Sequence, residues 1–162
     1  LAAAILNQVL DKYNPTLPTW KEMWNIRRTM IRSSVIGTIV GIFPGAGATI
    51  ATFISYDMAK RASNESEKFG TGLMEGVAAS EAANSSSVGG ALVPLLALGI
   101  PGSSTDAVLL GAFILHDLNP GPLLFRDRPE IVYGIFASLL IVNLLILLIC
   151  AYGRSAGPHS RR

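Results

Sequence analysis

Two copies of the dipeptide Pro-Gly share one setting: an apolar run, Pro-Gly, small residues, then apolar residues again. They are Gly41-Ile42-Phe43-Pro44-Gly45-Ala46-Gly47-Ala48-Thr49 and Leu98-Gly99-Ile100-Pro101-Gly102-Ser103-Ser104-Thr105. Both lie inside uncharged stretches, 33–56 and 82–105. Proline and glycine interrupt a helix and free backbone N–H and C=O groups. In a bilayer such a break survives only where protein or a water-filled cavity satisfies those groups. Paired, Gly/Pro-interrupted hydrophobic segments point to a transporter's binding site. The pattern predicts a piece of a solute transporter.

Composition agrees with a membrane setting. Only 15% of the 162 residues are charged and the mean hydropathy is +0.45, whereas soluble domains carry about 25% charged residues. A spanning helix needs about 20 mainly apolar residues. Three uncharged stretches reach that length: 33–56, 82–105 and 131–153. Only the last reads as an ordinary spanning helix. The other two are rich in Gly, Ala and Ser, which permits close helix packing. The expected fold class is all-α, an integral membrane helical bundle fragment with two Pro-Gly-broken helices, re-entrant or discontinuous.

Along the chain, residues 1–10 read as a helix end and 11–20 as a loop holding Pro15 and Pro18. Trp20 and Trp24, with Lys21, Arg27, Arg28 and Arg32, suggest an interfacial helix. Lys12 and these four basic residues outnumber Asp11 and Glu22, so this side is read as cytoplasmic. Residues 33–43 and 47–60 form two half-helices. The polar segment 57–71 is a surface loop or helix end whose charges cancel. Residues 72–88 form a helix of small residues, with 91–98 a separate short apolar segment after Gly89-Gly90. Residues 106–115 form the matching half-helix, and 116–122 a turn-rich loop. A permease domain over 1–153 is expected, with 154–162 as a polar, disordered or truncated tail. Aligning Pro44 with Pro101 superposes Gly45 on Gly102, Thr49 on Asp106 and Tyr56 on Phe113, a weak internal repeat.

Each break exposes a half-helix N-terminus, whose free N–H groups carry partial positive charge and suit an anion. Ser103, Ser104, Thr105 and Thr49 add hydroxyl donors. Two such ends facing each other would suit a solute with carboxylates at both ends. The competing reading is two kinks that only pack tightly. Glu81 and Asp106 lie among small or apolar residues, where a carboxylate is costly and signals function. Glu81 and Ser85 share a helix face, beside Ser80, Asn84 and Ser87. Asp106 reads equally as an acid stabilised at a half-helix N-terminus. Glu75 reads as a surface position and His116 as a loop residue.

Several function classes fail. Gly45-Ala46-Gly47 lacks the third glycine of a dinucleotide fingerprint, and no Gly-Lys-Ser/Thr phosphate loop occurs. Two distant histidines and the lone Cys150 give neither a metal cluster nor a disulfide framework. Ser85-Ser86-Ser87 has no base partner in sequence, so catalysis is unsupported. A net charge of +2 is too small to argue for nucleic acid.

The blocks Phe43–Ala51, Phe69-Gly70-Thr71-Gly72, Glu75–Ala79, Glu81-Ala82-Ala83-Asn84, Gly89–Pro94, Leu98–Ser103 and Pro120–Phe125 occur in one order. Together, over about 32–145, they resemble the large permease subunit of the tripartite tricarboxylate transporters, the TctA family. The resemblance implies a multi-pass protein of the bacterial inner membrane with two related halves. It implies a small membrane subunit and a periplasmic solute-binding protein as partners. It implies uptake of citrate-like di- or tricarboxylates with Na+ or H+ and no resident cofactor. The expected solute-binding residues are Pro44, Gly45, Ala46, Gly47, Ala48, Thr49, Asn84, Pro101, Gly102, Ser103, Ser104 and Thr105. Glu81 and Asp106 are expected to couple the cation. Ser85 stands where family members commonly carry a second Asn, which alters the reach and donors offered there.

Overall fold

The computed structural model describes residues 18–155. The expected helix end and most of the loop before Trp20, and all of the tail after Ser155, lie outside them. Among the described residues every regular element is helical: α1 (Trp20–Asn25), α2 (Arg27–Ile42), α3 (Gly47–Ala62), α4 (Met74–Leu98), α5 (Ser104–Leu115), α6 (Pro122–Asp127) and α7 (Pro129–Ser155). A 3-10 turn, Ser66–Lys68, lies between α3 and α4.

The core of the fold is a tight unit of α2, α3 and α4. The Thr29 hydroxyl donates to the Glu75 carboxylate. A Cβ on Gly37 would collide with the Ala83 backbone, and one on Gly41 with the Ser87 backbone. Going up α2 one also goes up α4, in constant register, so the two helices run parallel with their backbones nearly touching. Small residues make that approach possible. α3 runs the other way. Its Ser55 hydroxyl donates to the Ala79 carbonyl at 3.0 Å, and Ser63, just beyond its end, donates to Glu75 at 2.7 Å. Ala59, Ala79 and Phe69 seal this side, with Tyr56 edge-on to Phe69 at 5.3 Å.

The register corrects two expectations. Gly89-Gly90 does not divide the helix: α4 is continuous for 25 residues. Gly90 serves to admit the Thr38 carbonyl of α2, which a Cβ there would strike. Glu75 is not a surface acid. Its half-buried carboxylate ties α2 and the end of α3 to the first turn of α4.

α5, α6 and α7 attach more loosely, through one apolar cluster. Leu92, Leu95 and Leu96 of α4 meet Phe113, Leu124 and Val132. Gly121 N–H donates to the Leu96 carbonyl at 2.9 Å and returns the chain to α4.

Of the three long uncharged stretches, only the last forms a helix long and apolar enough to cross a membrane, Pro129–Cys150. The first is divided into two helices of 16 residues each, about 24 Å apiece against a hydrocarbon core of about 30 Å. In the second, the apolar half of α4 ends at Gly99, and beyond it α5 is a predominantly apolar helix of 12 residues. The expected interfacial segment is split between α1 and the start of α2. Trp20 and Trp24 are exposed, and the Arg27 guanidinium lies 4.5 Å from the Trp24 ring centre.

A cleft between the two Pro-Gly loops

At Pro44-Gly45 the chain leaves α2 and reverses into the antiparallel α3. The turn needs glycine: Gly45 has φ +80° and Gly47 φ +64°, both in the left-handed region that side chains disfavour. At the second site α4 closes on Gly99, at φ +70°, whose N–H donates to the Leu95 carbonyl at 3.0 Å. The chain then folds back. A Cβ on Gly102 would lie 3.3 Å from the Ala91 Cβ and 3.7 Å from the Gly41 carbonyl.

That fold-back joins the two segments. Gly45 N–H donates to the Gly102 carbonyl at 3.1 Å. Around this bond opens a cleft of about 650 Å³. Gly45, Ala46, Gly47, Thr49 and Ile50 line one side; Pro101, Gly102, Ser103 and Ser104 line the other. Two segments remote in sequence, singled out by the same dipeptide, thus line one open cleft.

Not every expected residue is there. Pro44, Ala48, Thr105 and Asn84 are not among the lining residues. Asn84 is exposed on α4, and its carbonyl accepts from the Ser87 hydroxyl at 2.7 Å. Glu81 and Ser85 are exposed on the same helix, outside the cleft. His116 is exposed at the end of α5. Ile50 lines the cleft without having been expected there. One turn beyond Ala46 it must face the same way, so helical spacing from the expected residues was the available signal.

The two helix starts differ chemically. α3 begins at Ala46 with no side-chain cap and no acid in its first turn. The N–H groups of that turn have no intrahelical acceptor. α5 begins at Ser103, whose Oγ accepts from Asp106 N–H at 3.2 Å and donates to Asp106 Oδ2 at 2.8 Å. Asp106 is only 7% exposed and sits beneath the cleft wall. Ser103 was expected to offer its proton to a solute. That proton is committed to Asp106, so towards the cleft Ser103 can only accept. The Thr49 and Ser104 hydroxyls make no hydrogen bond within the described residues and remain available as donors. No Lys, Arg or His lines the cleft, and no group of three His, Cys, Asp or Glu side chains among the described residues could hold a metal ion.

Known proteins resemble this chain over most of its length. It is 40% identical over 133 residues to an uncharacterized 52.8 kDa protein in the TAR-I ttuC' 3'region of Agrobacterium vitis, covering 80% of this chain and 26% of that protein. It is 41% identical over 113 residues to an uncharacterized protein in the TAR-II ttuC' 3'region of the same organism, covering 70% of this chain and 47% of that one. The chain therefore spans between about a quarter and a half of these relatives. No solved structure matches it. The family model of the tripartite tricarboxylate transporter TctA family matches residues 3–156. With nearly every residue inside that match, this chain belongs to the TctA family of tripartite tricarboxylate transporters.

Proposed function

We propose that the chain is part of the permease subunit of a secondary active, binding-protein-dependent transporter that takes up citrate-like di- or tricarboxylates with Na+ or H+. The observation that carries this reading is the Gly45–Gly102 hydrogen bond, which puts both Pro-Gly segments on one cleft. Gly45, Gly47 and Gly102 let a solute approach the backbone. The first turn of α3 attracts a carboxylate, with Thr49 and Ser104 as hydroxyl donors. Asp106, beside the cleft, and Glu81, on the exposed face of α4, are the proposed cation-coupling acids. Ala46, Pro101 and Ser103 shape the cleft walls, while Pro44, Ala48, Thr105 and Asn84 support the segments that carry them. The work is transport, with no enzymatic step and no resident cofactor. A small membrane subunit and a periplasmic solute-binding protein are the partners of the whole permease, a multi-pass protein of the bacterial inner membrane.

A second reading has its own support: Gly102 is buried against Ala91, as a glycine that merely packs would be. One experiment separates them. Radiolabelled citrate uptake is measured in vesicles carrying the full-length permease with both partners, under a Na+ or H+ gradient, for wild type and Gly102→Val. Uptake lost at equal membrane abundance supports a solute site. Equal uptake in both removes the cleft from transport, and loss of abundance alone favours packing.

A further inference from the structure

We infer that the exposed face of α2 seats an anionic phospholipid, with its phosphate at Arg27 and Arg28 and an acyl chain along Ile31, Val35, Ile39 and Ile42. This surface lies on the outside of the helical unit, whatever the cleft carries. Thr29, Ser33, Gly37 and Gly41 mark the face of α2 packed on α4. The four apolar residues recur at helical spacing on another face and are exposed. From Ile31 to Ile42 they run about 16 Å, close to half of a hydrocarbon core of about 30 Å and so the depth of one leaflet. Arg27 and Arg28 stand four and three positions before Ile31, at the foot of the same face. The stripe thus ends in two cations, which is the polarity of a lipid in a bilayer. These cations lack counter-charges. Between residues 18 and 56, Lys21, Arg27, Arg28 and Arg32 meet one acid, Glu22, and Thr19 already holds its carboxylate. Glu75 is bound by Thr29 and Ser63 on the packed side. The ion pairs among the described residues, Arg61 with Asp57 and Lys68 with Glu65, involve none of the four. Arg32, one turn above Arg28, has a buried Nε with no acceptor, a donor that a phosphate oxygen would satisfy. The Arg27 guanidinium is already fixed. It lies 4.5 Å from the Trp24 ring centre, and its Nη1 donates to the Trp24 carbonyl at 2.6 Å, which leaves its other donors for a ligand. A protein partner would have to bring acids to this rim. An anionic lipid brings phosphate and acyl chain together, and basic clusters beside membrane helices recruit such lipids.

The test titrates the purified full-length permease, in detergent with its small subunit, with phosphatidylglycerol or phosphatidylcholine of equal chain length. Bound lipids are counted by native mass spectrometry. The wild type should bind phosphatidylglycerol about tenfold more tightly, and the double variant Arg27→Gln, Arg28→Gln should bind the two lipids alike. The double variant Arg27→Lys, Arg28→Lys keeps the charge and should retain most of the preference. Glycerol phosphate at the same concentration should not displace the lipid, since it lacks the chain that the stripe holds. A wild type without preference, a preference unchanged in the glutamine variant, or displacement by glycerol phosphate overturns the inference. Loss of the small subunit from the glutamine variant with lipid binding unchanged also overturns it, and makes the face a protein interface. If the glutamine variant does not fold, phosphatidylglycerol carrying a diazirine on its acyl chain decides on the wild type. Adducts within α2 support the lipid seat, and adducts confined to other segments overturn it.

Discussion

At the first Pro-Gly segment the chain reverses in three residues and starts α3 with nothing to satisfy its first turn. At the second it wanders through Gly99 to Gly102 and starts α5 under a serine and a folded-back aspartate. The dipeptide follows directly on the end of α2, while α4 has already closed on Gly99 before Pro101 is reached. The four residues after it differ: Ala-Gly-Ala-Thr in one, Ser-Ser-Thr-Asp in the other. Ending a helix and capping the next one are therefore separable properties. The first needs only Pro and Gly. The second needs a serine with an acid three residues on, which the start of α5 has and the start of α3 lacks.

Substitutions at the two segments should diverge accordingly. The largest effect is expected for Gly102→Val. Its Cβ meets Ala91 and Asp106 at 3.3 Å, and overpacking of this kind costs roughly 2 kcal/mol, read as a lowered melting temperature of the permease. Gly45→Ala meets open space but keeps φ +80°. It should lose about 1–2 kcal/mol to backbone strain alone, and Gly45→Asn, which tolerates that region, should recover part of it. Ser103→Ala removes the α5 cap and should cost about 1 kcal/mol. Ala46→Asp puts an acid at the N-cap of α3, which has neither cap nor first-turn acid. It should stabilise the helix start by about 0.5 kcal/mol while weakening carboxylate binding, an opposition that a melting curve and a binding curve on one sample would expose. If Ala46→Asp leaves binding untouched, α3 is not the anion end.

The smallest effect concerns α1, whose start carries a full capping box. Thr19 Oγ1 accepts from Glu22 N–H, and the Glu22 carboxylate accepts from Thr19 N–H at 2.6 Å. The Thr19 backbone bond, then the Thr19 hydroxyl, hold the Glu22 carboxyl below its ordinary value of 4.5. A depressed folded value means stabilisation that is present above the unfolded pKa and lost as pH falls through the folded one. Acidification below about pH 4.5 should therefore fray α1, seen as a change in Trp20 and Trp24 fluorescence that Glu22→Gln abolishes.

Much of this was legible before any coordinates. Pro44 follows directly on the last residues of α2, as the restriction on a residue before proline leads one to read from the chain alone, whereas α4 ends on Gly99, two residues before Pro101. The span at 129–150 declares itself by an unbroken apolar run. The features that stayed hidden depend on partners remote in sequence. Gly90 looks like a break until α2 is laid across it, and then it is a contact. Glu75 looks like a loop-side acid until Thr29 and Ser63 reach it. Ser103 carries a hydroxyl in either view, but only the fold-back of Asp106 decides where its proton goes. The cleft could be guessed from repetition of the dipeptide. Its asymmetry could not, because the inserted serine and acid read equally as solute ligands or as a cap.

The single hydrogen bond from Gly45 to Gly102 also sets an order of events. Chains emerge from their N-terminus during synthesis, so α2 and α3 can pair, with the start of α3 bare, well before residue 102 exists. Until α4 has been laid parallel to α2 and its end has turned back, nothing closes the other side. The cavity is thus a late product of a long chain closure, which costs entropy that only the packing of α4 repays. A ribosome stalled between the two dipeptides would leave a helical hairpin with an uncapped helix start and no cleft.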